Sequence, residues 1–197
     1  PVHGRLPVSL LSDGIRNMIA LVADLAHRAV RLNPHLGPDA VLRTPGTVLV
    51  DEVDMHLHPE WQQTLPDALL RAFPLVQWII TTHSPQVISA VRSECIRVLH
   101  ADITLSTPVQ QTRGVESATL LAEVMDVDPI PPVPEARWVI DYKALVERDL
   151  ASTSEAVALW DDIVKHFGKQ HPVVLDCERL VRWQAFKLKR AASKKEA

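Results

Sequence analysis

The sequence predicts an α/β layer of mostly parallel, buried strands with flanking helices, followed by an all-α extension. Three observations carry this. Two short runs, Thr47-Val48-Leu49-Val50 and Val76-Gln77-Trp78-Ile79-Ile80-Thr81, are apolar and rich in β-branched residues, the pattern of strands buried on both faces. Segments of helical periodicity lie before, between and after them, and that alternation builds parallel sheets. After about Pro108 the strand signal stops and four helical stretches follow.

The elements follow in order. Residues 15–32 read as a helix because Ile15, Met18, Ile19, Val22, Ala26 and Ala29 recur three or four apart, with Ser12 and Asp13 as N-cap candidates and Asn33-Pro34 as the stop. The first strand runs into Asp51-Glu52. Pro59 suits the first turn of a helix over 59–73, which Pro66 should kink or restart. The second strand runs into Thr82-His83-Ser84-Pro85, and a short helix over 86–92 leads to strands over 96–99 and 103–105. The later helices are expected over 116–124, 136–149, 154–167 and 172–192, with Pro129-Ile130-Pro131-Pro132-Val133-Pro134 as a stiff spacer. The two parts divide as 1–108 and 109–197, and the extension should form its own packed unit. The five tryptophans, Trp61, Trp78, Trp138, Trp160 and Trp183, are expected to be packing residues.

Composition bounds the function. With 47% hydrophobic and 23% charged residues the 197-residue chain is globular rather than disordered. A net charge of -3 excludes a strongly basic DNA-coating protein. Charge interrupts every apolar run well short of the roughly 20 residues of a membrane span. Two cysteines, Cys95 and Cys177, make no disulfide framework, so a cytoplasmic location is expected. Residues 116–178 carry 13 acidic and 5 basic residues, a balance of -8, whereas the tail is basic through Arg179, Arg182, Lys187, Lys189, Arg190, Lys194 and Lys195. That tail reads as a solvated helix face or as a contact for nucleic acid or an acidic partner.

In an open α/β sheet, ligands bind beyond the carboxyl ends of the strands, where Asp51, Glu52 and His83 would meet. The chemistry suits phosphoryl transfer. Asp51 would position Mg²⁺, Glu52 would orient and deprotonate a water, and His83 would hydrogen-bond a γ-phosphate. The Leu11-Ser12-Asp13-Gly14 turn at a helix start would offer a hydroxyl and backbone N–H groups to a phosphate. The same region allows bland alternatives: Asp51-Glu52 as a solvated loop, His83 as a structural histidine, and Ser12-Asp13 as plain capping.

These residues resemble those of ABC-type ATPases. Leu11-Ser12-Asp13-Gly14 is similar to the signature motif, Val48-Leu49-Val50-Asp51-Glu52 to the Walker B strand with its catalytic glutamate, and Thr81-Thr82-His83-Ser84 to the switch-histidine segment. The wording from Asp51 to Trp61 resembles the soluble RecF/OLD/SMC-like branch of AAA ATPases. Gln111-Thr112-Arg113-Gly114 and the late helices resemble the C-terminal part of Septu-type phage-defence ATPases. The ATPase resemblance covers about residues 10–105. It implies the C-terminal lobe of an ABC/P-loop NTPase that binds ATP and Mg²⁺ between two protomers. It further implies a DNA-associated role in phage defence with a nuclease or other protein partner, nucleic acid being reached through that partner, and no membrane.

The sequence departs from the family in three places. None of the glycines, at 4, 14, 37, 46, 114 and 168, sits in the G-x-x-x-x-G-K-[ST] loop that cradles phosphates. His58 stands where many ABC ATPases have the D-loop aspartate, and Asp13 where transporters have glycine. Pro1-Val2-His3 has no Met and no signal core, so the expectation is the C-terminal part of a longer ATPase, inactive as this chain alone. Two alternatives stand: a non-catalytic dimerisation or docking module, and a metal-dependent hydrolase built on His56, His58, Asp51 and Asp54.

Overall fold

A computed structural model describes residues 7–195, with side chains to residue 190. The chain divides into two compact units that meet at Pro129–Ile130. The compositional change lies near 108, but a short helix beyond it packs back into the first unit.

The first unit begins with α1 (Asp13–Leu32). Ser12 caps it, its Oγ accepting from the Ile15 N–H at 3.4 Å. Asp13 stands in the first turn, paired with Arg16. After a short helix α2 (Ala40–Arg43), β1 (Gly46–Val50) and β2 (Val76–Ile80) pair in parallel, in register from Gly46↔Val76 to Val50↔Ile80, with α3 (Pro59–Ala72) as the crossover. The core beneath them is Val53, Leu57, Leu65, Leu69 and Val87, with Met18, Val50, Trp78 and Ile80 packed against it. Phe73 meets the Trp78 ring edge to face at 5.9 Å.

Four expectations are corrected. The strands are not buried on both faces: Val50, Trp78 and Ile80 face the core, whereas the paired Leu49 and Ile79 are 75% and 50% exposed. A β-branched run records that both faces are apolar, not which of them is covered. Pro66 does not restart its helix; α3 is continuous through it, and the ring is buried with Leu65 and Leu69. The helix expected over 86–92 is shorter, α4 (Pro85–Ile88), because the Ser89 carbonyl takes the Gly114 N–H at 2.8 Å. The third and fourth strands, β3 (Val98–Leu99) and β4 (Leu105–Ser106), form a separate antiparallel pair. Asp102 Oδ1 accepts from the Thr104 N–H and hydroxyl, which closes the turn between them and lowers the Asp102 pKa. The unit ends in α5 (Ser117–Glu123), which packs on α4.

The second unit is three helices, α6 (Pro134–Glu147), α7 (Ser154–Phe167) and α8 (Pro172–Lys195). Tyr142, Val146, Ala156, Ile163, Val174 and Cys177 form its own core. Thr153 caps α7, and Gly168, at φ 83°, ends it in a conformation that favours glycine. Tyr142 stacks on Trp160 at 5.2 Å. Trp78, Trp138 and Trp160 are packing residues as expected, whereas Trp61 and Trp183 are 45% and 51% exposed.

Candidate functional site

The parallel register brings the two strand ends together. Because Val50 pairs with Ile80, Asp51-Glu52 leaves β1 beside Thr81-Thr82-His83 leaving β2. The Thr81 hydroxyl donates to Asp51 Oδ1 and accepts from the Glu52 N–H at 2.8 Å. The Thr82 hydroxyl donates to Asp54 Oδ1, and the Val53 N–H donates to the Thr81 carbonyl at 3.1 Å. The side chains of Asp51, Glu52 and His83 are exposed. Glu52 holds φ at 47° and His56 at 62°, left-handed values that non-glycine residues adopt at a cost of about 1 kcal/mol each.

The loop 51–58 is fixed on two sides. Gln62, on α3, donates through Nε2 to the carbonyls of Asp54 (3.2 Å) and Leu57 (2.9 Å), and its Oε1 accepts from the Ser84 hydroxyl at 2.7 Å. The buried Ser84 Oγ also accepts from the N–H groups of Gln86 and Val87, capping α4. On the other side, Gly14 is buried against the backbone of His56 and the side chain of Leu57. The start of α1 therefore touches the loop that carries Asp51 and Glu52. Between them opens a cleft of about 300 Å³ lined by Ser12, Ile15, His56, Leu57, His58, Glu60 and Trp61.

Electrostatics at the α1 start are local. The Arg16 guanidinium holds the Asp13 carboxyl below the usual carboxylate range. Asp13 is therefore ionised near neutral pH, favourably placed at the positive end of the helix. His58 has a capping role: its Nδ1 accepts from the Glu60 N–H at 3.3 Å. Among the described residues, no three His, Cys, Asp or Glu side chains are grouped to hold a metal ion. Asp51 and Asp54 point to different threonine hydroxyls and His58 caps α3, so the four-residue metal cluster considered from the sequence does not assemble.

Sequence reasoning missed Gln62, Thr81, Thr82 and Ser84 as the frame of the site. The signal was two consecutive threonines closing one strand opposite two acids closing the other. Gln111-Thr112-Arg113-Gly114 also has a structural task. Gln111 Oε1 accepts from the N–H groups of Ser93, Thr112 and Arg113, the buried Thr112 hydroxyl donates to the Val91 carbonyl at 2.7 Å, and Arg113 pairs with Asp67 at 3.0 Å.

A small parallel sheet in a helix-rich α/β unit, with acids and hydroxyls at its carboxyl ends, is consistent with a P-loop NTPase-like domain. Residues 3–89 match the family described as "AAA domain, putative AbiEii toxin, Type IV TA system". The chain is 35% identical over 173 residues to "Retron Ec83 probable ATPase" of Escherichia coli, covering 87% of this chain and 31% of that protein. It is 39% identical over 144 residues to "Retron Vc95 probable ATPase" of Vibrio cholerae serotype O1 biovar El Tor, covering 70% and 27%. It is 38% identical over 112 residues to "Septu protein PtuA" of Bacillus mycoides (strain KBAB4), covering 54% and 15%. The chain is thus related in sequence to that AAA domain family, to these retron probable ATPases and to this Septu protein. It spans less than a third of the length of these curated relatives. Among the described residues, no helix is long and apolar enough to cross a membrane.

Proposed function

We propose that this chain supplies the signature, Walker B and switch-histidine elements of an ABC-type ATPase, the C-terminal lobe of a P-loop NTPase acting in phage defence. What supports this most is the Val50↔Ile80 pairing, which sets Asp51-Glu52 beside Thr81–His83, with the Ser12–Gly14 turn against the same loop. In this proposal residues 1–108 are the ATPase part and 109–197 the helical extension. The G-x-x-x-x-G-K-[ST] loop, absent from these 197 residues, comes from additional polypeptide.

The donor set fits ATP with Mg²⁺: an exposed carboxylate at a strand end, a second carboxylate beside it, an exposed imidazole and a helix start. When bound, Mg²⁺ neutralises charge on the phosphate oxygens. Asp51 would hold it, its carboxylate kept in place by the Thr81 hydroxyl. Glu52 accepts a proton from the attacking water. His83 donates a hydrogen bond to a terminal phosphate oxygen. Ser12 uses its Oγ lone pair to cap α1, so its O–H proton is left to donate to a phosphate, with the N–H groups of Asp13 and Gly14 beside it. The Leu11 N–H is already given to the Val8 carbonyl at 3.1 Å, so Leu11 contributes position rather than a donor. The Asp13 charge opposes a phosphate there, and Arg16 balances it.

The signature turn and the Asp51-Glu52 pair serve different nucleotides, so the active form is a dimer of two ATPase protomers with ATP between them. A nuclease or other protein partner acts downstream and gives the ATPase part its contact with nucleic acid, and the compartment is the cytoplasm, where the two free cysteines remain reduced. The 197-residue chain alone should bind ATP no more tightly than about millimolar by calorimetry, lacking the loop that cradles phosphates. With a P-loop segment in the same polypeptide, ATP should be hydrolysed, and Glu52→Gln should keep binding but slow turnover by about 10²-fold or more. Unchanged turnover would remove Glu52 from the reaction. Binding without any turnover in the unmutated protein would leave the docking-module alternative.

A further inference from the structure

The second half of α8 is unlike a plain solvated helix face. From Arg179 to Lys195 the sequence holds seven Lys or Arg and no Asp or Glu. Arg179, Trp183, Phe186 and Arg190 follow one another at steps of four, three and four, which sets them on one stripe of the helix about 16 Å long. The inward side is a different set: Val174, Cys177, Leu180 and Val181 join the core, and Gln184 donates to the Glu147 carbonyl at 3.1 Å and to Asp149 Oδ1 at 2.8 Å. The stripe is therefore turned out. Trp183 is 51% and Phe186 61% exposed, and neither belongs to the core. The Lys187 ammonium lies 3.8 Å from the centre of the Trp183 ring.

We propose that this stripe binds a single strand of nucleic acid, bases stacking on Trp183 and Phe186 and phosphates meeting Arg179, Lys187 and Arg190. Two exposed aromatic side chains between cations on one helix match the two needs of such a ligand, flat bases and regular negative charge, with a base taking the place of the Lys187 ammonium over Trp183 as that ammonium turns to a phosphate. An acidic peptide would use the cations but has no flat groups for the rings. A duplex hides its bases and would spread its charge over a wide footprint, where the 9 acidic against 5 basic residues of 130–178 in the same unit repel it. A single strand follows one helix. Two carboxylates beside the stripe are paired, Asp176 with Lys143 at 2.5 Å and Arg179 at 3.7 Å, and Glu178 with Arg182 at 3.7 Å, while Glu147 lines the cleft that Arg179 and Trp183 share. The proposal is independent of the ATPase reading, because it uses no residue of the first unit.

The test is fluorescence anisotropy of a labelled oligo-dT with the whole 197-residue chain over a salt series. Binding should be detectable at low salt and weaken as salt rises. Trp183→Ala and Phe186→Ala should each weaken it by about 10-fold while leaving the salt slope unchanged. Lys187→Glu with Arg190→Glu should weaken it and flatten the slope by about 1.4, roughly 0.7 for each single-strand phosphate that is no longer neutralised. All four side chains are exposed, and far-ultraviolet circular dichroism checks that the helix persists. No oligo-dT binding, equal binding by a DNA duplex, tighter binding by poly-glutamate, or indifference to both aromatic substitutions would each overturn the proposal.

Discussion

Gly14 and His56 meet backbone to backbone: a Cβ on Gly14 would lie 2.2 Å from the His56 carbonyl oxygen and 2.7 Å from its carbonyl carbon. Helix propensity alone would favour alanine at this α1 position by up to about 1 kcal/mol. The clash is with backbone that Gln62 also holds, so it cannot swing away, and overpacking of this kind costs about 1–3 kcal/mol. Gly14→Ala should therefore lower the urea midpoint of the first unit. A midpoint at or above that of the unmutated chain would show that α1 and the loop can separate freely.

Gln62 is the second clasp of that loop. Gln62→Glu keeps an acceptor for Ser84 but takes away the donor to the Asp54 and Leu57 carbonyls. The expected loss is about 1–3 kcal/mol, the cost of leaving partly buried acceptors unmatched. Gln62→Ala and Ser84→Ala each remove the hydrogen bond that the two residues share, so in combination their losses should fall short of additive by about 0.5 kcal/mol or more. Strict additivity in the double-mutant cycle would mean that the two residues act separately.

Glu52 tests whether strain and chemistry coincide. At φ 47° a glycine sits without the penalty that a side chain carries. Glu52→Gly should leave the unit as stable or up to about 1 kcal/mol more stable, while abolishing the proposed proton acceptance. Stability and activity moving in opposite directions mark a residue kept for function. A loss of stability beyond about 1 kcal/mol would instead make Glu52 a structural residue of the turn.

The legible part of this protein is its order of motifs. A β-branched run closing in two acids, and a second closing in Thr-Thr-His-Ser, suffice to set Asp51, Glu52 and His83 near one another, because parallel neighbours end on the same side. The α1 start is legible as a cap, but not its partner, since nothing in a Ser-Asp-Gly sequence says which backbone will press on the glycine. Gln62 is invisible because one glutamine on a helix makes no pattern. The α1 periodicity points in part to the wrong side: Ile19 and Val22 are exposed, whereas Met18 packs inward, because the helix is apolar over more than one stripe. The hairpin of β3 and β4 cannot be told from added sheet, because two-residue strands carry no directional signal.

In the second unit the pair Lys143–Asp176 gives a pH test. The Lys143 ammonium bonded to Asp176 holds that carboxyl below its usual range. A carboxylate with a lowered folded-state pKa contributes stability above its unfolded pKa and loses it as the pH falls through the folded value. Both side chains are more than a third exposed, 37% and 49%, so the contribution is limited to roughly 0.5 kcal/mol. Asp176→Asn should lower the urea midpoint slightly at pH 7, and the difference should shrink as the pH falls below the ordinary aspartate value of 3.8 and vanish once it is below the lowered folded-state value. A gap that persists or grows in acid would assign Asp176 a role other than the ion pair.

The two cysteines report on the two units separately. Cys95 is exposed, whereas Cys177 is fully buried in the core of α6, α7 and α8. Burial also pushes the Cys177 thiol up from its usual pKa, so little of it is the reactive thiolate. A thiol reagent at pH 7.5 should therefore label one cysteine per chain quickly and the second only as the helical unit opens. Cys95→Ser should remove the fast phase and leave the slow one. Adding urea should speed the slow phase in parallel with loss of the helical signal, because the thiol is reached through unfolding of its own core. Val146→Ala, which removes packing beside Cys177, should cost about 1–3 kcal/mol and accelerate the slow phase accordingly. Two equally fast thiols in the native chain would mean that the three helices do not close a core around Cys177.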